Sequence, residues 1–153
     1  PSMRDDGRAV QAALAAAGVT GFARRDYRHL SGGEQQRVQL ARCLAQIASL
    51  EADAARVLLL DEPVASLDLA FQQSVLRAAR REAAQGCAVL ASLHDPNLAA
   101  MHADRVLALG EGRLLADGTP DAVLTPTLLE RLYGLPLLRL PHPVTGVPVL
   151  LPA

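Results

Sequence analysis

An acidic pair that directly follows an apolar run has the residue types needed to hold a metal and to accept a proton. The apolar run 57–60 ends at Asp61 and Glu62. Open α/β sheets bind ligands at the carboxyl ends of their strands, so we expect a ligand site here. One carboxylate can hold Mg²⁺ through water while its neighbour takes a proton from an attacking water. The alternative is a pair of solvated loop acids, with Pro63 turning the chain.

A glycine pair ahead of a helical pattern has the character of an anion site. Ser31, Gly32, Gly33 and Glu34 also match S-x-x-E, a capping box in which serine and glutamate satisfy backbone amides. Capping does not require two consecutive glycines, which cost about 1 kcal/mol each relative to alanine inside a helix. At a positive helix end, bare glycines let N–H groups approach a phosphate closely. We favour phosphate binding over capping alone, and the two are compatible.

Two further polar residues lie at the ends of predicted elements. His94 closes a second apolar run, 88–93, where an imidazole could hydrogen-bond a γ-phosphate. The simpler interpretation of His94 is a satisfied residue at a strand end. Asp68 is most simply the N-cap of the next helix.

The apolar spacing around these residues predicts an α/β core. We expect helices at 4–17 and 34–47, a strand buried on both faces at 57–60, a helix from Asp68 to Gly86, and a buried strand at 88–93. Strand, helix and strand in this order predict parallel pairing through a right-handed crossover.

The remaining chain predicts shorter elements. We expect a helix from Pro96 to about His102, a hairpin of 105–109 and 113–116, and helical turns at 121–124 and 126–133. From residue 136 onward prolines punctuate short apolar pieces, which predicts a small hairpin or an extended tail with a turn at Thr145 and Gly146.

Composition narrows the classes of function. Fifteen arginines are scattered among sixteen acidic residues, and aromatic residues are few, so nucleic-acid binding is not expected. Cys43 and Cys87 lack C-x-x-C spacing and stand in apolar surroundings, so they are predicted to be buried, reduced thiols. No apolar run approaches the roughly 18 residues of a membrane span. The chain contains no lysine, which excludes a P-loop of the form G-x-x-x-x-G-K-[ST] from this sequence.

The order of these motifs resembles that of the ATP-binding subunits of ABC transporters. Residues 30–35 are similar to the signature motif, 58–63 to the Walker B segment, 66–68 to the D-loop, and His94 to the switch histidine. The resemblance implies an α/β fold: a partial P-loop NTPase core with mainly parallel strands. It also implies a helical signature subdomain with its signature helix at 1–50, the C-terminal part of the ATPase core at 51–135, and a proline-rich tail at 136–153.

The resemblance implies a role for each matched residue, with ATP and Mg²⁺ as cofactors. The implied residues are Ser31, Gly32, Gly33 and Gln35 for nucleotide binding in trans, Asp61 for Mg²⁺ through water, Glu62 and His94 for catalysis, and Asp68 for the dimer interface. Glu62 would be the general base. In this family two subunits pack head to tail, so each signature motif would face the partner's nucleotide.

Within the family, the segments 39–46 and 94–100 resemble importers of iron chelates, heme and cobalamin, although Pro96 departs from the usual leucine. The end, 141–148, resembles heme-importer ATPases. This implies an ATPase that couples hydrolysis to heme uptake at the cytoplasmic face of the bacterial inner membrane. Its implied partners are a second ATPase subunit, a transmembrane permease and a periplasmic substrate-binding protein.

Several alternatives remain open on the sequence. The importer could carry an iron siderophore or cobalamin, or the core could serve a soluble process such as translation or repair. A third alternative is a non-hydrolytic half-site protein that lends its signature motif to a partner. Without a P-loop, we expect the chain to be the C-terminal portion of an ATPase and to be inactive alone.

Overall fold

The structure, a computed structural model, describes residues 3–48, 54–65 and 67–153. Its contacts divide the chain into two compact units, Pro1–Ser92 and Leu93–Ala153. The first contains α1 Met3–Ala16, α2 Gly32–Ala48, β1 Val57–Leu60, α3 Leu69–Ala84 and β2 Ala88–Ala91. The second contains α4 Pro96–His102, β3 Val106–Gly110, β4 Arg113–Gly118, α5 Pro120–Val123, α6 Pro126–Tyr133, β5 Leu137–Pro141 and β6 Pro148–Pro152. The predicted domain boundary at residue 50 falls outside the described residues, and the boundary at 135 stays a prediction.

The two helices of the amino-terminal region pack against each other through small and aliphatic side chains. Ala13 on α1 and Leu40 and Leu44 on α2 are buried. α1 stops ahead of Gly18, whose φ of +66° is the left-handed conformation that glycine supplies past a helix end. Both predicted helices are confirmed, and α2 begins at Gly32, within the predicted signature motif.

β1 and β2 form the predicted parallel pair, with Leu60 opposite Ala91. α3 connects them, and the Asp68 carboxylate caps it by accepting the N–H of Phe71 at 3.0 Å. The helix ends before Gly86, which has a φ of +84°. The strand, helix and strand order is therefore confirmed, although β2 stops at Ala91 rather than at residue 93.

The expectation that this pair is covered on both faces is wrong for the residues that the structure describes. Leu58 and Leu60 are buried, whereas Val57 and Leu59 are 58% and 67% exposed, and Leu90 on β2 is 57% exposed. Side chains alternate between the faces of a strand, so one face of the pair packs inward and the other is open. A continuous apolar run predicts two buried faces only where both faces have neighbours.

The second unit contains two antiparallel hairpins. β3 and β4 are joined through Glu111 and Gly112, whose φ values of +53° and +72° suit a tight two-residue turn. β5 and β6 also pair antiparallel, with Gly146 at a φ of +73° in the connection, so the hairpin alternative for the proline-rich end is confirmed. Among the described residues, parallel pairing is confined to β1 and β2.

The carboxyl-terminal hairpin is a packed part of the second unit. Leu150 on β6 joins Ala100, Leu124 and Leu129 in one buried cluster. The Asn97 side chain on α4 donates to the Leu150 carbonyl at 3.0 Å and accepts the Leu150 N–H at 2.8 Å. This two-way contact fixes β6 to α4, which explains why the end forms a strand despite its prolines.

Two properties expected from composition concern cysteines and membrane spans. Both cysteines are free thiols, as predicted, and Cys87 is buried, but the prediction that Cys43 is buried is wrong because it is only half-buried. No helix in the described ranges combines the length and the apolar character needed to cross a membrane.

Candidate active site

The predicted signature segment, residues 30–35, includes a capped helix terminus. Ser31 donates its N–H to Glu34 Oε2 at 2.7 Å, and the N–H of Glu34 reaches Ser31 Oγ at 3.4 Å. This reciprocal pair is the predicted capping box. Donation to the Glu34 carboxylate from the Ser31 backbone N–H, and then from the Ser31 side chain, holds the pKa of the Glu34 carboxyl below its usual value. An ionised carboxylate in the first turn also interacts favourably with the helix dipole.

The glycine pair occupies the first turn of α2, in which backbone N–H groups have no partner inside the helix. A Cβ placed on Gly32 would meet nothing within 4 Å. Packing therefore does not require glycine there. The open approach to the backbone is what an anion needs at a helix N-terminus, so phosphate binding remains compatible with the observed cap.

Two side chains brace the turn around these glycines. The Gln35 amide donates to the carbonyls of Tyr27 at 3.2 Å and Leu30 at 3.1 Å, so it fixes the loop ahead of α2. Arg37 donates from Nε to the Gly33 carbonyl at 3.3 Å, and its guanidinium lies 3.7 Å from the centre of the Phe71 ring. Cation–π contacts of this kind contribute about 0.5–1 kcal/mol when exposed. The signature turn is thereby tied to α3.

Asp61 and Glu62 lie directly after β1, as predicted, and both are exposed. Glu62 has a φ of +44°, a left-handed backbone conformation that costs a non-glycine residue about 1–2 kcal/mol. Such a conformation persists only where surrounding contacts fix it, and residues of this kind cluster at functional sites.

The contacts that fix Glu62 come from two residues that the sequence interpretation missed. Ser92 Oγ accepts the Glu62 N–H at 2.7 Å and donates to Asp61 Oδ1 at 2.7 Å. Gln36, on α2, donates from Nε2 to the Glu62 carbonyl at 3.0 Å. Ser92 could have been found in the sequence, because it is a polar residue within the apolar run 88–93. Parallel pairing of the two strands brings that end of the run beside Asp61.

Asp68 and His94, the other predicted site residues, each have local contacts. Asp68 serves as the N-cap of α3, and its neighbour Ser66 in the predicted D-loop lies outside the described residues. His94 belongs to the second unit, where its carbonyl accepts the hydroxyl of Tyr133 at 2.8 Å. Burial and the charge of Asp95 raise the pKa of that tyrosine, which therefore stays protonated as a donor near neutral pH.

The donor set around Asp61 suits a magnesium ion that is shared with phosphates. Within the described ranges, no group of three or more His, Cys, Asp or Glu side chains could hold a metal ion. Mg²⁺ usually keeps several waters and binds one or two carboxylates together with substrate phosphates. A single carboxylate, oriented at one oxygen by Ser92, fits that role better than it fits a metal cage built from protein ligands alone.

Solved structures of known proteins are similar to the chain along most or all of its length. A structure described as an inward-facing conformation of a putative metal-chelate type ABC transporter has a TM-score of 0.77 at 27% identity, covering 100% of this chain and 59% of that one. An ATP-binding cassette of an ABC transporter has a TM-score of 0.66 at 18% identity, covering 85% and 51%. The second likeness concerns the fold alone.

Sequence relatives and a family model agree with this likeness. The model for the ABC transporter family matches residues 3–65. A protein of Gloeobacter violaceus named hemin import ATP-binding protein HmuV is 53% identical over 147 residues, which are 96% of this chain and 54% of the relative. A protein of the same name from Rhodococcus jostii is 47% identical over 99% of this chain and 50% of its own length. The chain thus spans about half the length of the curated relatives it matches, and it belongs to the ABC transporter family.

Proposed function

We propose that this chain supplies the signature and Walker B parts of the ATP site in an importer ATPase that drives heme uptake. The observation that carries the proposal is the Asp61 and Glu62 pair, held after a parallel strand by Ser92 and Gln36. The capped signature helix belongs to the same unit. The lysine-bearing P-loop that such a site needs is not part of this sequence, so hydrolysis requires that element from outside it.

Glu62 is the proposed general base, which takes the proton from the water that attacks the γ-phosphorus. A base of this kind contributes about 10²- to 10⁴-fold to the rate. Asp61 holds Mg²⁺ through water, and its carboxylate is oriented by the Ser92 hydroxyl. When bound, Mg²⁺ offsets the negative charge of the phosphates. His94 is the second proposed catalytic residue, with a side chain that hydrogen-bonds the γ-phosphate.

The signature end acts on the nucleotide of a partner subunit. Ser31, Gly32 and Gly33 bind that subunit's γ-phosphate, and Gln35 supports them by bracing the loop through the Tyr27 and Leu30 carbonyls. Ser31 and Gly32 are exposed at the start of α2, which supports this role because helix N-termini bind phosphates through backbone N–H groups. Asp68 lies near the interface between the two subunits in this arrangement.

The working importer contains two ATPase subunits packed head to tail, a transmembrane permease and a periplasmic substrate-binding protein. The ATPase acts at the cytoplasmic face of the bacterial inner membrane as a peripheral subunit. Family membership supports this assembly, and the names of the relatives, hemin import ATP-binding proteins, support heme as the substrate.

Uptake in cells tests this function. The complete gene product that carries this sequence is returned with its permease to cells that lack heme import, and growth on heme as the iron source is measured. Glu62→Gln should abolish growth, whereas Glu130→Gln, a matched change at an exposed helical glutamate, should leave it intact. Growth restored on a ferric siderophore as the iron source, but not on heme, would contradict the substrate assignment. Restored cobalamin uptake without restored growth on heme would contradict it as well.

A further inference from the structure

One hydroxyl group contacts both members of the acidic pair. Ser92 Oγ accepts the N–H of Glu62 and donates to Asp61 Oδ1, with both distances at 2.7 Å. A serine hydroxyl has one hydrogen to donate and lone pairs to accept, so the two contacts use its two functions without conflict. The side chain that orients the proposed metal-holding carboxylate is therefore the one that fixes the backbone of the proposed base.

The position of Ser92 is itself set by the parallel pair. Its backbone N–H donates to the Leu60 carbonyl at 2.9 Å, which continues the ladder past the last paired residues, Leu60 and Ala91. The ladder delivers the hydroxyl to the end of β1, where the chain turns sharply into Glu62 at a φ of +44°. Loss of the hydroxyl would remove two contacts at once. The Glu62 N–H would lose this acceptor, and the Asp61 carboxylate would lose the donor that orients it.

We propose that Ser92 is a positioning residue for ATP hydrolysis. It holds the Asp61 carboxylate and the Glu62 backbone in one fixed arrangement, so that the metal-holding oxygen and the proton-accepting carboxylate keep their relative placement. Ser92 itself touches neither nucleotide nor water in this role. The proposal rests on the function proposed above, because it assigns Ser92 an effect on the step that Glu62 performs.

The test is steady-state kinetics on the complete gene product that carries this sequence, with ATP and Mg²⁺ varied independently. Residues that do not touch a metal but hydrogen-bond to its ligands typically contribute about 10- to 100-fold to activity or metal affinity. Ser92→Ala should therefore lower kcat by about that factor. The KM for ATP should change by less than about 3-fold, while half-maximal activity should require more Mg²⁺. Ser92→Thr keeps the hydroxyl and should stay within about 3-fold of the wild-type kcat.

Two controls separate positioning from a general loss of structure. Ser74→Ala removes a hydroxyl on α3, in the same unit, and should leave kcat and the Mg²⁺ dependence unchanged. In a Glu62→Gln background, Ser92→Ala should lower the remaining rate much less than it does in the wild type, since residues that act as a unit are not additive. If Ser92→Ala does not fold, Ser92→Cys, which replaces the hydroxyl by a weak donor, is measured in its place and should show the same shift in Mg²⁺ dependence.

The outcomes distinguish this inference from the function on which it rests. Wild-type kcat and Mg²⁺ dependence in Ser92→Ala, or equal losses in the alanine and threonine variants, would overturn the role of Ser92. In both cases a strong effect of Glu62→Gln would leave the ATPase assignment standing. A wild-type protein without ATPase activity, or a Glu62→Gln variant as fast as the wild type, would instead overturn the proposed function.

Discussion

Two glutamates in the first unit, Glu34 and Glu62, are held in opposite ways. The Glu34 carboxylate closes a short ring with Ser31, three positions earlier in the chain. Glu62 is held through its backbone, by Ser92 thirty positions later and by Gln36 twenty-six positions earlier. The cap made by Glu34 therefore depends only on its own helix turn. The acidic pair depends on the correct assembly of α2, β1 and β2. A substitution that loosens the core should therefore disturb the position of Glu62 more than that of Glu34.

The largest expected effect is a loss of stability on substitution at the buried face of β1, the strand that leads into the acidic pair. Leu58→Ala in this chain should lower the free energy of unfolding by about 2–5 kcal/mol, because it leaves a cavity beneath the acidic pair's strand. Leu58 is 3% exposed, and its neighbour Leu59 is 67% exposed. Leu59→Ala is thus a matched control that should cost less than about 1 kcal/mol by denaturant unfolding. Equal costs for the two variants would contradict the one-sided burial of the strand.

A smaller effect is expected from the contact between α2 and Glu62. Gln36→Met keeps the length of the side chain but removes the amide that donates to the Glu62 carbonyl, so it should cost about 1 kcal/mol of unfolding free energy. Gln46→Met, at an exposed position of the same helix, should cost much less. Denaturant unfolding of both variants measures the difference, and identical midpoints would mean that the contact does not stabilise the loop.

The backbone conformation of Glu62 predicts a substitution that raises the free energy of unfolding instead of lowering it. Glu62→Gly removes a side chain from a residue at a φ of +44°, so the free energy of unfolding should rise by up to about 1 kcal/mol even though the proposed base is lost. Ala65→Gly, three residues later and also outside helix and strand, should destabilise by about 0.4–1 kcal/mol, because glycine raises the conformational entropy of the unfolded chain. A destabilised Glu62→Gly variant would show that the side chain, and not the backbone, holds this turn.

The smallest expected effect concerns the local cap. The folded-state pKa of Glu34 lies below its unfolded value of about 4.3, so its contribution to stability is present above that pH and is lost as pH falls through the folded pKa. The difference in Tm between the wild type and Glu34→Gln should be small at pH 7, should shrink as the pH falls below the unfolded pKa, and should disappear once the pH is below the folded pKa. A difference that grows on acidification would contradict the cap.

The sequence predicted the parts of this molecule that local chemistry determines. The bounds of α4 follow from Pro96 at its first turn, and the β3 and β4 hairpin follows from Gly110 to Gly112. The capping box was visible as S-x-x-E. Gln36 was not found, because its role depends on helix packing that a single sequence does not display. Ser92 was missed although it visibly interrupts the apolar run 88–93, because its two contacts depend on the register of the strand pair. The open face of β1 was missed for a related reason, since a continuous apolar run carries no information on which neighbours are present.

The most direct test of the central claim compares the turnover of ATP with its binding. In the complete gene product, Glu62→Gln should lower kcat for ATP hydrolysis by about 10²- to 10⁴-fold, while the Kd for ATP measured in parallel stays within about 3-fold of the wild type. That result would establish Glu62 as the base of a hydrolytic site. An unchanged kcat, or a loss of ATP binding in proportion to the loss of turnover, would contradict it.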